Sequence, residues 1–302
     1  MSAFEWPKNF PDTKSMMTLL METIDKSWKN EISAENIDKW LNNFNGKVLT
    51  VEVEQRIALW MLCNFTYYNS KDINYLCRIV YKNLLHDIAK DSDDINENWL
   101  SEVLKQVYFA AMGSAADSGG MLLYHFRQEA GLSMDSFFYP SAIPKNENGI
   151  VVLIDDVTLS GSTATRFFHR NIESMVYKKA YYLTLFASEK AIERIEELGV
   201  TVIYSTLLTD RDRCFTENSI MFSDFPELRD KASELAAYYG KLIEPDNPLG
   251  FKNGQFCFGM EYNTPNNTLP IFWSNNNWNP IFERKEKIYD AKQRNDILER
   301  FI

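Results

Sequence analysis

Two adjacent carboxylates, Asp155 and Asp156, follow five apolar residues (150–154) and precede a loop of small residues (160–163). A continuous apolar run of this length is typical of a strand buried on both faces of a parallel sheet. The carboxylates are then expected at the carboxyl edge of the sheet, where open α/β folds bind ligands. Carboxylate oxygens accept hydrogen bonds from hydroxyl groups and suit Mg²⁺ as ligands. We therefore predict a site for a hydroxyl-bearing ligand with Mg²⁺.

The small residues after the acid pair can hold an anion. Their backbone N–H groups can wrap a phosphate at the start of a helix, where the helix dipole also favours negative charge. A ribose 5-phosphate seated in this loop would extend its 2′- and 3′-hydroxyls towards the two carboxylates. The alternative interpretation is a strand that ends in a capped helix, with carboxylates there by chance. The order of strand, acid pair and anion loop favours the functional interpretation.

This order resembles the signature of phosphoribosyltransferases. The resemblance implies that Asp155 and Asp156 are the catalytic residues, holding the ribose of 5-phosphoribosyl pyrophosphate (PRPP) and, through that ligand, Mg²⁺. In many purine enzymes of this kind an acidic residue that handles a base proton stands where this chain has Leu159, so hypoxanthine or guanine salvage is disfavoured. Orotate-type members also lack that acid. The residues expected to bind the 5′-phosphate are Thr158, Ser160, Gly161, Ser162 and Thr163.

A second strand–loop–helix unit lies upstream, at residues 107–120. In the resembling fold the matching loop holds pyrophosphate through backbone amides that small residues bring close. The alternative is an ordinary helix start with Ser118 as its N-cap. Arg127 suits either an anion or a surface ion pair. The residues suited to pyrophosphate are Gly113, Ser114, Ser118, Gly119 and Gly120.

The carboxyl-terminal segments 248–254, 262–273 and 278–284, with the helical amino-terminal region, resemble the bacterial PRTase-CE proteins, which are phosphoribosyltransferase-like and proposed as conflict effectors. The resemblance implies a role in anti-phage defence, with a possible partner protein from the same operon. Asn263 and Asn267 could recognise a base edge, and Trp273 offers a stacking face; a Pro/Asn turn packed by structural tryptophans is the alternative. Asp210 could reach substrate after a predicted strand, or belong to a charged surface turn.

Periodicity gives the expected elements. From residue 14 to about 105 the apolar spacing of three and four predicts about five helices, with Ser33 and Ser70 as N-caps. Alternating strands and helices then predict a parallel sheet. Strands are expected at 107–112, 136–139, 151–155, 180–186, 200–205 and 255–262, and helices at 119–130, 162–175, 189–198 and 227–239, with a charged amphipathic helix at 283–302.

The fold class expected from the pattern and the resemblance is α/β: a type I phosphoribosyltransferase-like parallel sheet with helices on both faces, preceded by an all-helical region. We expect that region at 1–105, packed on the core, the α/β domain with its carboxyl-terminal hood at 106–282, and a terminal helix at 283–302.

Composition excludes some classes of protein. A net charge of −10 over 302 residues argues against an extended nucleic-acid groove. The sequence shows neither a signal peptide nor a membrane-spanning run, so a cytoplasmic protein is expected. The resembling fold often dimerises, and a homodimer is possible. The cysteines are expected to be reduced core thiols: Cys63, Cys77, Cys214 and Cys257.

Three functions compete. The first is an enzyme that transfers or exchanges phosphoribose with release of pyrophosphate. The second is an inactive nucleotide sensor or partner-binding subunit that keeps the phosphate pocket, which Leu159 allows. The third, a winged-helix DNA reader, is disfavoured by the acidic balance.

Overall fold

The computed structural model describes residues 4–92, 95–113, 118–171 and 175–284. Within them the chain has the expected α/β architecture, in which a parallel sheet follows an amino-terminal helical region. No helix in this described part combines the length and apolar character needed to cross a membrane.

The amino-terminal region contains the helices that periodicity predicted, and the apolar stripe of α4 is buried. Ser33 caps α2 as expected, whereas the N-cap of α4 is Asn69 rather than Ser70, because the Asn69 side chain accepts from Lys71 and Asp72. A strand of three residues, β1 (Thr66–Tyr68), was not predicted. The helices are α1 (Thr13–Lys26), α2 (Ala34–Leu41), α3 (Val51–Cys63), α4 (Ser70–Lys90) and α5 (Trp99–Leu104).

The main sheet has four parallel strands in the order β2-β3-β4-β5. Its strands are β2 (Val107–Ala111), β3 (Ile150–Thr158), β4 (Lys179–Ser188) and β5 (Thr201–Leu208). The connecting helices are α6 (Ser118–Ala130), α7 (Ser162–Asn171) and α8 (Glu189–Glu196). Four predicted strands are thus confirmed, and β3 to β5 extend further than predicted. The carboxyl ends of all four lie at one edge of the sheet.

The predicted strand at 136–139 is wrong. A 3₁₀ turn at Met134–Ser136 occupies its start, and Phe137 forms only an isolated parallel bridge with Phe109. The two rings stack with centroids 5.2 Å apart. The aromatic pattern there reflects packing against β2 rather than a strand of its own.

Beyond β5 the chain forms a 3₁₀ turn (Asp210–Asp212), α9 (Pro226–Ile243), β6 (Phe258–Met260) and α10 (Pro270–Trp273). The predicted strand at 255–262 is therefore shorter than expected. It pairs in parallel with β1, in register Thr66 with Phe258. The helix predicted at 283–302 lies, from residue 285 onward, outside the described residues.

The carboxyl-terminal segment is anchored on the helical region. One hydrophobic cluster joins α1–α3 to residues from Cys214 to Phe282, while α4 packs with the sheet in another. Trp40 is fully buried, stacks on Phe272 with centroids 5.5 Å apart, and donates its indole N–H to the Ile271 carbonyl at 2.6 Å. The domain boundaries expected at 105 and 282 remain a prediction.

Candidate functional site at the carboxyl edge of the sheet

Asp155 and Asp156 lie near the end of β3, two residues before the strand stops at Thr158. The Tyr182 hydroxyl on β4 donates to Asp155 Oδ2 at 2.7 Å. Asp156 is 5% exposed, its Oδ1 accepts from the Val157 backbone N–H, and its Oδ2 is buried with no hydrogen-bond partner among the described residues. A buried carboxylate oxygen without a donor is costly, so it marks a place for a ligand.

Burial and neighbouring charge set the protonation of this cluster. Burial, and then the charge of Asp156, raises the pKa of the Asp155 carboxyl well above its ordinary value. Burial followed by the charge of Asp155 likewise raises the pKa of Tyr182, whose phenol also contacts the Thr158 side chain. Thr158 is buried beside this phenol, so its hydroxyl belongs to the aspartate–tyrosine network. Perturbed pairs of this kind concentrate at functional sites.

Tyr262 brings the carboxyl-terminal segment to the same carboxylates. Its pKa is raised by burial and then by the charge of Asp156, which places the phenol in the electrostatic field of the acid pair. Its hydroxyl, like Asp156 Oδ2, is buried, and no residue in the described part of the chain forms a hydrogen bond with it. The site thus contains two orphaned polar groups from segments more than 100 residues apart.

The predicted phosphate loop connects β3 to α7. Gly161 has φ +66°, a conformation that disfavours side chains, and its carbonyl accepts from the N–H and the hydroxyl of Thr165. Ser160 donates its hydroxyl to Ser162 Oγ at 3.2 Å. Thr163 is exposed on the first turn of α7. The loop therefore has the compact start-of-helix form that an anion cradle requires.

Two cations meet at the Ser162 hydroxyl. Lys252 donates Nζ to Ser162 Oγ at 2.5 Å, and Arg194 on α8 donates to the same oxygen at 3.2 Å and to the Ser160 carbonyl at 3.3 Å. Neither has a carboxylate partner within the described part of the chain. Positive charge therefore converges on the loop from two other segments.

The backbone that carries Lys252 is held in an uncommon conformation. Lys252 and Asn253 have φ of +53° and +57°, a region that costs non-glycine residues of order 1–3 kcal/mol each. The Arg213 guanidinium holds this turn by donating to the carbonyls of Asn253 and Gly254, at 2.9 and 3.2 Å. This held turn carries Lys252, whose Nζ contacts Ser162 in the loop.

A cleft of about 670 Å³ opens beside the loop. Its walls come from the ends of β3, β4 and β5 and from the carboxyl-terminal segment, whose role as a hood stays a prediction. The lining includes Ser160, Ser188, Arg194, Asp210, Lys252 and Asn267.

The predicted pyrophosphate unit is described in part. Gly113 has φ +89° at the end of β2. A Cβ at Gly119 would lie 2.8 Å from the Met112 carbonyl oxygen and 3.2 Å from that of Ile154, so glycine there lets α6 approach the sheet. Residues 114–117, including Ser114, lie outside the described residues, and Ser118 begins α6. Arg127 lies over the Tyr124 ring, and both line a groove with Gly113 and Gly120.

The residues predicted to recognise a base do not form one group. Asn267 lines the cleft, but its amide donates to the Phe251 carbonyl and so supports the hood. Asn263 lines a different cleft, next to Tyr262. Trp273 is 7% exposed and donates to the Thr268 carbonyl, so its ring is a core residue and offers no stacking face. Asp210 pairs with Arg213 at 3.0 Å.

Sequence reasoning missed Tyr182, Tyr262, Arg194 and Lys252. Arg194 lies one helix beyond a predicted strand and carried no motif. Lys252 belongs to the segment 248–254 that carried the family resemblance, but nothing local linked it to a loop 90 residues earlier.

The parallel sheet, the acid pair and the phosphate loop define the class of phosphoribosyltransferase-like α/β proteins. The family model of PRTase-CE matches residues 37–284, and the chain belongs to this family. No curated protein matches the chain.

Solved structures that resemble it include three distant ones. Orotate phosphoribosyltransferase from Aeropyrum pernix matches at 16% identity and TM-score 0.26, over 35% of this chain and 61% of that one, so less than two thirds of the orotate enzyme is spanned. A hypothetical protein from Neisseria gonorrhoeae with bound ppGpp matches at 10% identity and TM-score 0.32, over 56% of this chain and 97% of that one. A hypoxanthine-guanine-xanthine phosphoribosyltransferase matches at 14% identity and TM-score 0.27, over 40% of this chain and 66% of that one. Sequence identities and TM-scores this low assign no substrate to this chain.

Proposed function

We propose that this chain binds PRPP with Mg²⁺ and transfers its phosphoribosyl group to an acceptor, releasing pyrophosphate. The observation that carries the proposal is the convergence of Arg194 and Lys252 on the Ser162 hydroxyl, directly after the acid pair. A 5′-phosphate in the loop would receive charge-assisted hydrogen bonds from both cations, roughly twice as strong as neutral ones. Membership of the PRTase-CE family supports the same ligand class.

The acid pair would hold the ribose diol. The unpartnered Asp156 Oδ2 accepts one hydroxyl, and Asp155 accepts the other while Tyr182 fixes its second oxygen. In the described part of the chain, no group of three or more His, Cys, Asp or Glu side chains is placed to hold a metal ion. Asp155 and Asp156 would therefore hold Mg²⁺ jointly with oxygens of the ligand, where the ion would neutralise charge on pyrophosphate.

In the transfer, a ring nitrogen of the acceptor donates its lone pair to C1 of the ribose. The C1–O bond to pyrophosphate breaks, its electron pair leaves with pyrophosphate, and the proton displaced from the acceptor goes to solvent water. The carboxylates stabilise the positive charge that develops on the ribose. Leu159 offers no proton acceptor, so the chain's contribution is electrostatic and positional.

Leu159 also favours a second candidate, a sensor that binds PRPP or a nucleotide without turnover. Loss of the acid at this position removes a group that purine transfer uses but leaves the phosphate loop intact. The two candidates differ only in pyrophosphate release.

Calorimetric titration of PRPP with and without Mg²⁺ tests the pocket, and a pyrophosphate assay with a panel of bases and nucleotides tests turnover. We expect wild-type binding that Asp155→Asn/Asp156→Asn abolishes. The matched control, Asp38→Asn/Asp230→Asn, removes two exposed carboxylates from α2 and α9 and should bind as wild type does. Release of pyrophosphate identifies a transferase, and binding without release identifies the sensor. Wild type that fails to bind PRPP contradicts both.

We also propose that this activity serves anti-phage defence, together with a partner from the same operon. Support comes from the family alone. Expression of wild type and of the Asp155→Asn/Asp156→Asn variant during phage infection should show protection and altered nucleotide pools only for wild type. Equal protection by both would contradict a catalytic effector.

A further inference from the structure

The cleft has a distinct side away from the pyrophosphate loop. In the strand order β2-β3-β4-β5, the predicted pyrophosphate loop follows β2 and the phosphate loop follows β3. The ends of β4 and β5 lie on the opposite side, one and two strand spacings of about 4.8 Å from β3. In a displacement at C1 the acceptor enters opposite the leaving pyrophosphate. The acceptor side of the cleft is therefore the β4–β5 side.

The interior of this side is apolar. Leu208 and Phe256 are buried, and Leu159 and Phe251 are half-buried. The Asn267 amide donates to the backbone carbonyl of Phe251 at 3.0 Å and so holds the backbone that carries this ring. An apolar floor with an aromatic ring suits a planar heterocycle.

The rim of the same side is cationic. Lys190 and Arg211 are exposed, line the cleft, and form no ion pair with the described residues. Arg213 also lines it, but its guanidinium is used by Asp210 and by the turn at Asn253. Five cations line the cleft against two carboxylates, in a chain whose net charge is −10. The cleft thus reverses the sign of the protein, and the 5′-phosphate would use only the cations at Ser162.

From these features we infer that the acceptor is a planar heterocycle that carries its own negative group, a carboxylate or a phosphate, bound by Lys190 and Arg211. The inference rests on the proposed function and names the class of its second substrate. A neutral base would leave both cations without a partner. An anionic acceptor would gain charge-assisted hydrogen bonds from them and be drawn into the cleft electrostatically.

Matched acceptor pairs that differ only in charge test this. Orotate and uracil share a ring but only orotate carries a carboxylate, and AMP and adenosine differ only in the phosphate. Each would be titrated by calorimetry into full-length protein saturated with PRPP and Mg²⁺, and pyrophosphate release would be followed in the same samples. The first pair tests recognition of a carboxylate on the ring, and the second tests recognition of a phosphate on a nucleotide.

We expect one charged member to bind at least about tenfold more tightly than its neutral counterpart, an advantage that falls as salt rises. Lys190→Gln/Arg211→Gln should remove that advantage, while the control Arg170→Gln/Lys241→Gln, which neutralises two exposed cations elsewhere, should keep it. Neutral members that bind as well as charged ones, or charged members that do not bind at all, would overturn the inference alone. Failure to bind PRPP would overturn the proposed function and this inference with it.

Discussion

Two buried carboxylate sites of this molecule, at Glu54 and at Asp156, differ in how fully their oxygens are bonded. Glu54 is fully buried in the helical region, and Asp156 is 5% exposed at the sheet edge. Within residues 4–92, 95–113, 118–171 and 175–284, no group donates to Asp156 Oδ2. Both oxygens of Glu54 accept hydrogen bonds, and the donors are the N–H groups of Gly46, Val48 and Leu49, at 2.8, 2.6 and 2.9 Å, and the Tyr239 hydroxyl at 2.6 Å.

The difference separates a carboxylate whose two oxygens are satisfied within the fold from one with an oxygen that no described donor reaches. Glu54 closes the loop between α2 and α3, because its carboxylate satisfies three half-buried backbone N–H groups of that loop. At the sheet edge, by contrast, burial opposes the charge of the acid pair, and the orphaned oxygen gains nothing from the folded chain. Substitutions at the two sites should therefore change stability in opposite directions.

The largest effect is expected at Glu54. Glu54→Ala removes four hydrogen bonds to the Glu54 carboxylate and leaves the buried Tyr239 hydroxyl and three loop N–H groups without that acceptor, which should lower the free energy of unfolding by about 3–5 kcal/mol. Urea denaturation measures it. Glu52→Ala, an exposed carboxylate in the first turn of the same helix, is the matched control and should cost under about 1 kcal/mol. Equal losses for the two variants would contradict the role assigned to Glu54.

A smaller effect is expected from the tyrosines that face the two sites. Tyr239→Phe removes a donor from Glu54 and should cost about 1–2 kcal/mol. Tyr262→Phe removes a hydroxyl without a hydrogen-bond partner, so stability should change by less than about 0.5 kcal/mol, while the affinity for PRPP falls. Thermal unfolding and PRPP titration of both variants measure this. A large loss of stability in Tyr262→Phe would show that its hydroxyl is structural.

A change in stability of the opposite sign is expected at Asp155. Because burial and the charge of Asp156 raise its pKa, Asp155→Asn should stabilise the protein at neutral pH by about 0.5–2 kcal/mol while weakening PRPP binding.

The pH dependence follows from that direction. The folded-state pKa of Asp155 lies above the ordinary value of 3.8. Below pH 3.8 the carboxyl is protonated in both the folded and the unfolded chain, so it does not lower the stability of the wild type. Above that pH the carboxyl ionises more readily in the unfolded chain, which lowers the stability of the folded wild type. The stability advantage of Asp155→Asn should therefore grow as pH rises from about 4, until the folded-state pKa is passed. Chemical denaturation over a pH series measures this advantage. An advantage that shrinks with rising pH would contradict the assigned shift.

The local sequence pattern was enough to predict many of the helices and strands. The apolar run at 150–154 predicted β3, the spacing from Ile73 to Ile88 predicted the buried face of α4, and Ser33 was recognised as a cap. The errors have physical causes. The aromatic run at 136–139 has strand-like composition but packs on Phe109 through a single bridge, and Trp273 is apolar enough to serve in the core as well as in a site.

The sequence by itself determined where the acid pair and the predicted phosphate loop lie, because a strand, two aspartates and a glycine turn are adjacent in the chain and need no distant contacts to come together. Only the tertiary structure decided which other groups reach that site. Lys252 lies 90 residues from Ser162, and packing of the carboxyl-terminal segment on the helical region brings it there. Long-range packing also brings the Tyr239 hydroxyl to Glu54 from 185 residues away, whereas no described segment brings a donor to Asp156 Oδ2.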